Sequence, residues 1–211
     1  MKRKTVRRTV EVDDTNKLNR DFKEIFSNYK LYTTKAEWRL YLLVPIAIST
    51  LLFVLMAILE EKNTTIYNSI LDINNVSVNV IAILAGFNTT CLSIIAASNN
   101  KVLKFLTKKK LEGSSDQGGT VLKQIVVFFS FSIVYELIII FFGILLVMVS
   151  KYIPNLSEFD ILTGINARII LVIIGIGWLS AILFALVTSL RNASLLYRYV
   201  LFVADYRDDN N

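Results

Sequence analysis

Histidine is absent from the 211 residues, and cysteine occurs once. The first absence excludes His-based triads, His metal ligands and histidine pH switches. The second excludes a disulfide framework within the chain and any CxxC zinc or redox site. Charge is also sparse: Asp, Glu, Lys and Arg make up 19%, against about 25% in soluble domains. What replaces it is apolar, 54% of residues, with a mean hydropathy of +0.54. These residues fall into a few long runs rather than alternating or helix-periodic stretches. That excludes both an ordinary soluble domain and a disordered chain.

A helix needs ~20 apolar residues to cross a hydrocarbon core of about 30 Å. Residues 40–59, 76–100, 124–150 and 169–190 qualify, and Glu136 is their lone charge. The first run begins too far from the N-terminus and is too long for a signal peptide. The expected fold is therefore an all-α membrane protein of four transmembrane helices. A basic segment, 1–39, precedes the 40–190 membrane domain, and a segment at 191–211 follows it. Pro45 is expected in the first turns of span one, where a missing N–H costs little.

Lys and Arg orient the spans. Residues 1–39, the 101–123 loop and the segment from Arg191 hold 20 of them, and the two remaining loops hold three. The positive-inside rule then places both termini and the middle loop in the cytoplasm. The net charge of +6 follows from this bias, with anionic lipid as the partner and no nucleic acid required.

Before span one, Leu18, Phe22, Ile25, Phe26 and Tyr29 repeat on one helical face among lysines and arginines. This predicts an amphipathic helix, lying in the membrane interface or packed on a partner. Span two is expected to run on as one helix through Lys101, Lys104, Lys108, Lys109 and Lys110, offering a lipid or partner surface. Residues 113–119 then read as a turn. No Gly-Lys-Ser/Thr ends them, so they are not a phosphate-binding loop.

Within the membrane, a carboxyl costs several kcal/mol unless it meets protein, water or a proton. Glu136 is thus either a hydrogen-bond anchor between helices or a group on an ion path or sensor. No other span holds a cation, so its partners must be Ser, Thr, Asn, Tyr, backbone or water. Span two offers a polar strip: Asn79, Asn88, Thr89, Thr90 and Ser93, with Gly86 among small residues. That strip reads as a tight helix contact or as a pore face. Span four carries Gly177, Ala181, Ala185 and Ser189 at four-residue steps, expected to be a packing seam. Cys91 is expected to be a buried small residue. No carboxylate pair, metal cluster or cofactor motif marks an enzyme.

The four spans, the basic lead-in, the short outer loops and Ile83-Leu84-Ala85-Gly86-Phe87-Asn88-Thr89-Thr90 running into a Lys-rich helix have a known counterpart. In these features the chain resembles the KwaA family, the membrane subunits of the Kiwa anti-phage defence system. The resemblance implies a homo-oligomer, a tetramer, in the bacterial inner membrane. It would sense envelope disturbance and work with a soluble DNA-binding partner at the cytoplasmic face. An oligomeric channel or membrane-permeabilising effector is the competing expectation. A transporter is the third, but broken helices and inverted repeats are missing.

Overall fold

A computed structural model describes residues 14–109, 119–152 and 164–208. They form six helices: α1 (Asp14–Tyr32), α2 (Lys35–Leu59), α3 (Asn63–Ala96), α4 (Asn100–Lys108), α5 (Val121–Tyr152) and α6 (Ile165–Asp208). No strand occurs among the described residues. Helices α2, α3, α5 and α6 are long and apolar enough to cross a membrane. The chain is an all-helical, multi-pass membrane protein. Its outer surface agrees: Leu51, Ile58, Ile83, Phe141 and Ile173 are all exposed. In water such a continuous apolar face would aggregate, whereas hydrocarbon solvates it and leaves only the backbone to be satisfied within each helix.

Helix α3 packs on α5 and α6, α2 packs on α6, and α1 and α4 both lean on α5. Aromatic and branched residues fill the contacts. Phe53 of α2, Ile66 and Ile70 of α3 and Leu171 of α6 form one cluster. At the far end of the bundle, Ile95, Val102, Leu106, Ile125, Phe129 and Tyr199 join α3, α4, α5 and α6.

The helices outrun the apolar runs. Thr34 caps α2 through a reciprocal capping box with Glu37, so α2 begins at Lys35. Pro45 therefore lies inside the helix, not in its first turns. Its missing N–H leaves the Tyr41 carbonyl without the usual helical donor. Only residues 60–62 separate α2 from α3. That turn is tied to the start of α6. Arg168 donates to the carbonyls of Glu60 and Glu61, and Asn63 Nδ2 donates to the Gly164 carbonyl at 3.1 Å.

The expected continuous helix from span two to Lys110 does not form. Helix α3 ends at Ala96, and Asn99 adopts φ −55°, ψ 136° and accepts from Lys101 N at 3.0 Å, starting α4 afresh. The run Ser98-Asn99-Asn100 explains the break, because short polar side chains compete with the helical backbone bonds and favour caps. Helix α6, by contrast, runs unbroken for 44 residues. At 1.5 Å per residue that is about 66 Å, twice the hydrocarbon thickness, so it extends well beyond the membrane. Its last part is held by Tyr199, Leu195 and Phe202, which pack against α4 and α5.

Candidate functional site

Glu136 is fully buried, and it is the hub of a polar cluster at the meeting of α3, α5 and α6. Asn88 Nδ2 donates to its two carboxyl oxygens at 2.8 and 3.1 Å. Ser189 Oγ donates to Oε1 in a short contact. Asn88 Nδ2 also lies 2.9 Å from Ser189 Oγ. Behind Asn88, Asn192 Nδ2 donates to Asn88 Oδ1 at 3.1 Å and to Ser132 Oγ at 2.9 Å. All five residues are buried. The donors thus run in one direction, from Asn192 through Asn88 to the carboxyl.

The local reason is helical spacing. Ser132 and Glu136 are one turn apart on α5, and Ser189 and Asn192 are one turn apart on α6, so each pair shares a face. The partners expected for Glu136 were side chains of span two, and Asn88 is one. Ser189, read as part of a seam, is another. Asn192 and Ser132 gave no signal of their own. Asn74 was missed as well. It is buried and donates to the Gly143 carbonyl at 3.1 Å, where α3 and α5 come close. A Cβ on Gly143 would lie 2.9 Å from Asn74 Oδ1.

The remainder of the span-two strip does not join this cluster. At about 100° per residue, the buried residues of α3 (Ile66, Ile70, Asn74, Ile81, Ala85, Asn88, Cys91 and Ile95) fall within roughly 60° of Asn88. Asn79, Ala82, Gly86, Thr90 and Ser93 fall roughly 120–200° away, and all are exposed, as is Thr89. A Cβ on Gly86 would meet nothing within 4 Å. The polar groups of the strip are satisfied along their own helix: Asn79 to Asn75 O, Thr89 to Ala85 O, Thr90 to Gly86 O and Ser93 to Thr89 O. The tight contact expected of this face is absent among the described residues, because the same helix uses its opposite face to pack.

The span-four seam also divides. Four-residue steps overshoot a full turn by about 40° each, so the series rotates across the surface. Gly177 is exposed and an added Cβ there would meet nothing within 4 Å, Ala181 is partly buried, and Ala185 and Ser189 are buried. The glycine that permits close packing is Gly175, where a Cβ would overlap the Phe53 ring.

On α4, Val102 and Leu106 face the core, while Lys101, Lys104, Lys108 and the following Lys109 are exposed. Lys110, the turn at 113–118 and the basic tail at 1–12 lie outside the described residues. At the α1–α2 corner, Arg191 of α6 makes an unexpected clasp. Its guanidinium lies 3.6 Å from the Phe128 ring centroid and within 5.7 Å of those of Tyr29 and Tyr41. It donates to Thr33 Oγ1 at 3.2 Å and pairs with Glu37 at 3.7 Å. Burial pushes the Tyr29 phenol above its ordinary pKa, and the charge of Arg191 acts against that rise.

No protein-family model matches the chain, and no curated protein or solved structure is similar to it. Among the described residues, no group of three or more Cys, Asp or Glu gathers where a metal ion would sit. What the arrangement offers chemically is a buried carboxyl held by uncharged donors, and a separate polar face of α3 that no other described helix covers.

Proposed function

We propose that this chain is a non-enzymatic, oligomeric sensor or scaffold of the bacterial inner membrane, with both termini cytoplasmic. Following the resemblance to the Kiwa membrane subunit, it serves an anti-phage defence complex. It responds to membrane disturbance and holds a soluble DNA-binding partner at its cytoplasmic face.

The outward face of α3 carries this reading. Small and hydroxyl residues facing lipid make a poor apolar surface, but they let a second helix approach closely and hydrogen-bond. A second copy of the chain is the occupant that every membrane containing the protein supplies. The lysines of α4 then supply the partner surface, and α1 forms the amphipathic lead-in beside the membrane.

The test is disulfide trapping in native membranes, in a Cys91→Ala background. Thr90→Cys should give cross-linked dimers, and Leu51→Cys, on the lipid face of α2, should not. Equal trapping at both positions means random collision and removes the oligomer. Purification from the native host, with and without Lys101→Glu and Lys104→Glu, then tests the partner. The same α3 face favours one alternative, a pore lined by the polar strip. That reading requires ion conductance from the purified protein in planar bilayers, and the scaffold reading requires none.

A further inference from the structure

Helix α1 does not lie flat against the bundle. Between it and the wall formed by α2, α5 and α6 is a cleft of ≈ 800 Å³. Trp38, Ile46, Phe131 and Phe184 are among its walls. The size is that of a ligand site rather than a packing defect. Residues 40–59 and 169–190 lie in the runs that cross the membrane, so the cleft opens beside hydrocarbon.

We propose that this cleft binds an anionic phospholipid, whose acyl chain lies against the aromatic walls and whose phosphate meets Lys23 and Lys30.

Charge complementarity identifies the occupant. Lys23 and Lys30 are the charged residues lining the cleft. They are seven apart, two turns of α1, and so lie on one side of it. Both are exposed, and neither forms an ion pair with a described residue. A second copy of this cationic chain is a poor match for such a mouth, and a zwitterionic lipid leaves the two charges unbalanced. Each lysine near a membrane surface favours an anionic over a neutral lipid on the order of fivefold.

The proposal rests on the membrane placement of α2 and α6 and not on the defence role. Trp38 reports on it directly. The chain has two tryptophans, and Trp178 packs elsewhere, with Leu171 and Leu179. The full chain carrying Trp178→Phe is reconstituted in phosphatidylcholine vesicles. Equal mole fractions of acyl-brominated phosphatidylglycerol or acyl-brominated phosphatidylcholine are then added. The phosphatidylglycerol should quench Trp38 fluorescence more. Lys23→Gln with Lys30→Gln should abolish the excess. Lys101→Gln with Lys104→Gln, on α4, should leave it intact. Equal quenching by the two lipids overturns the proposal. So does an excess that survives the α1 changes, or one that the α4 changes remove equally, since general surface charge would then explain it.

Discussion

Replacing Glu136 by Leu should destabilise the bundle far more than replacing it by Gln. The carboxyl accepts from Asn88 on α3, through both of its oxygens, and from Ser189 on α6, so the Leu variant loses three interhelical hydrogen bonds made by two donors. Bonds of this kind inside membranes average about 0.6 kcal/mol and reach about 1.7. The loss also leaves buried donors short of acceptors, at about 1–3 kcal/mol for each group that finds no other. Asn88 keeps Ser189 Oγ at 2.9 Å, which limits that second cost. The expected total is about 2–4 kcal/mol. Gln keeps the shape and one acceptor oxygen, and should cost about 1 kcal/mol or less. Asn88→Leu combined with Glu136→Leu should cost less than the sum of the two, because both remove the same bond. Reversible unfolding in mixed detergent micelles, followed by tryptophan fluorescence, measures the parent and the four variants. Strict additivity, or a Leu variant as stable as the parent, would refute the network as a stabilising unit. The Gln variant then separates two roles. At unchanged abundance and oligomer size, full activity removes a charge switch, and lost activity removes a pure anchor.

Gly175→Ala should destabilise by about 1–3 kcal/mol, since the new Cβ must displace the Phe53 ring, while Gly177→Ala should be neutral; the same unfolding assay reads both, and equal effects refute the packing assignment. Arg191→Lys should not rescue the loss in Arg191→Gln, because an ammonium cannot stack flat on Phe128 while reaching Thr33 and Glu37; faster proteolysis within α1 in both variants is the readout. The raised pKa of Tyr29 means its neutral form is favoured in the folded chain, so its contribution is fully present below the ordinary value of 10.0 and lost as pH rises through the folded value. Tyr29→Phe should therefore flatten the alkaline loss of stability, and an unchanged pH profile counts against it. In a Cys91→Ala background, Asn63→Cys should label with an impermeant maleimide from outside intact cells and Lys104→Cys should not; the reverse pattern overturns the orientation.

The membrane helices were legible because hydrocarbon demands long charge-free runs, and little else produces them. Their ends were not. Outside the membrane a helix continues on capping and packing, which leave no mark in hydropathy. The start of α2 did carry a local signal, the Thr34-Lys35-Ala36-Glu37 capping box. The break before α4 carried one too, in Ser98-Asn99-Asn100. Glu136 stood out as a lone charge, and the absence of membrane cations correctly narrowed its partners to uncharged side chains. Ser132 and Asn192 did not stand out, since single Ser and Asn residues are unremarkable one by one. Asn192 also lies past residue 190, where the apolar run stops but α6 does not. Arg191 counted only as a positive charge, because the rings it stacks on come from three other helices.

Helix α3 shows why a polar strip read along a sequence needs an angle before it has a meaning. Asn88 is two residues from both Gly86 and Thr90, and two residues turn a helix by about 200°. The neighbours in sequence are therefore nearly opposite in space. One face holds Asn74 and Asn88 against α5 and α6, while Asn79, Gly86 and Thr90 are exposed on the other, where Asn79 and Thr90 bond only along their own helix. A heptad step falls only about 20° short of two turns. Asn79, Gly86 and Ser93 therefore stay in line over the length of the span, as a contact with another straight helix requires. The four-residue series of α6 drifts by about 40° at each shorter step and crosses from the outside at Gly177 to the core at Ser189. The period of a polar series, not its composition, separates one that keeps to the outside of its helix from one that turns into the protein's own interior.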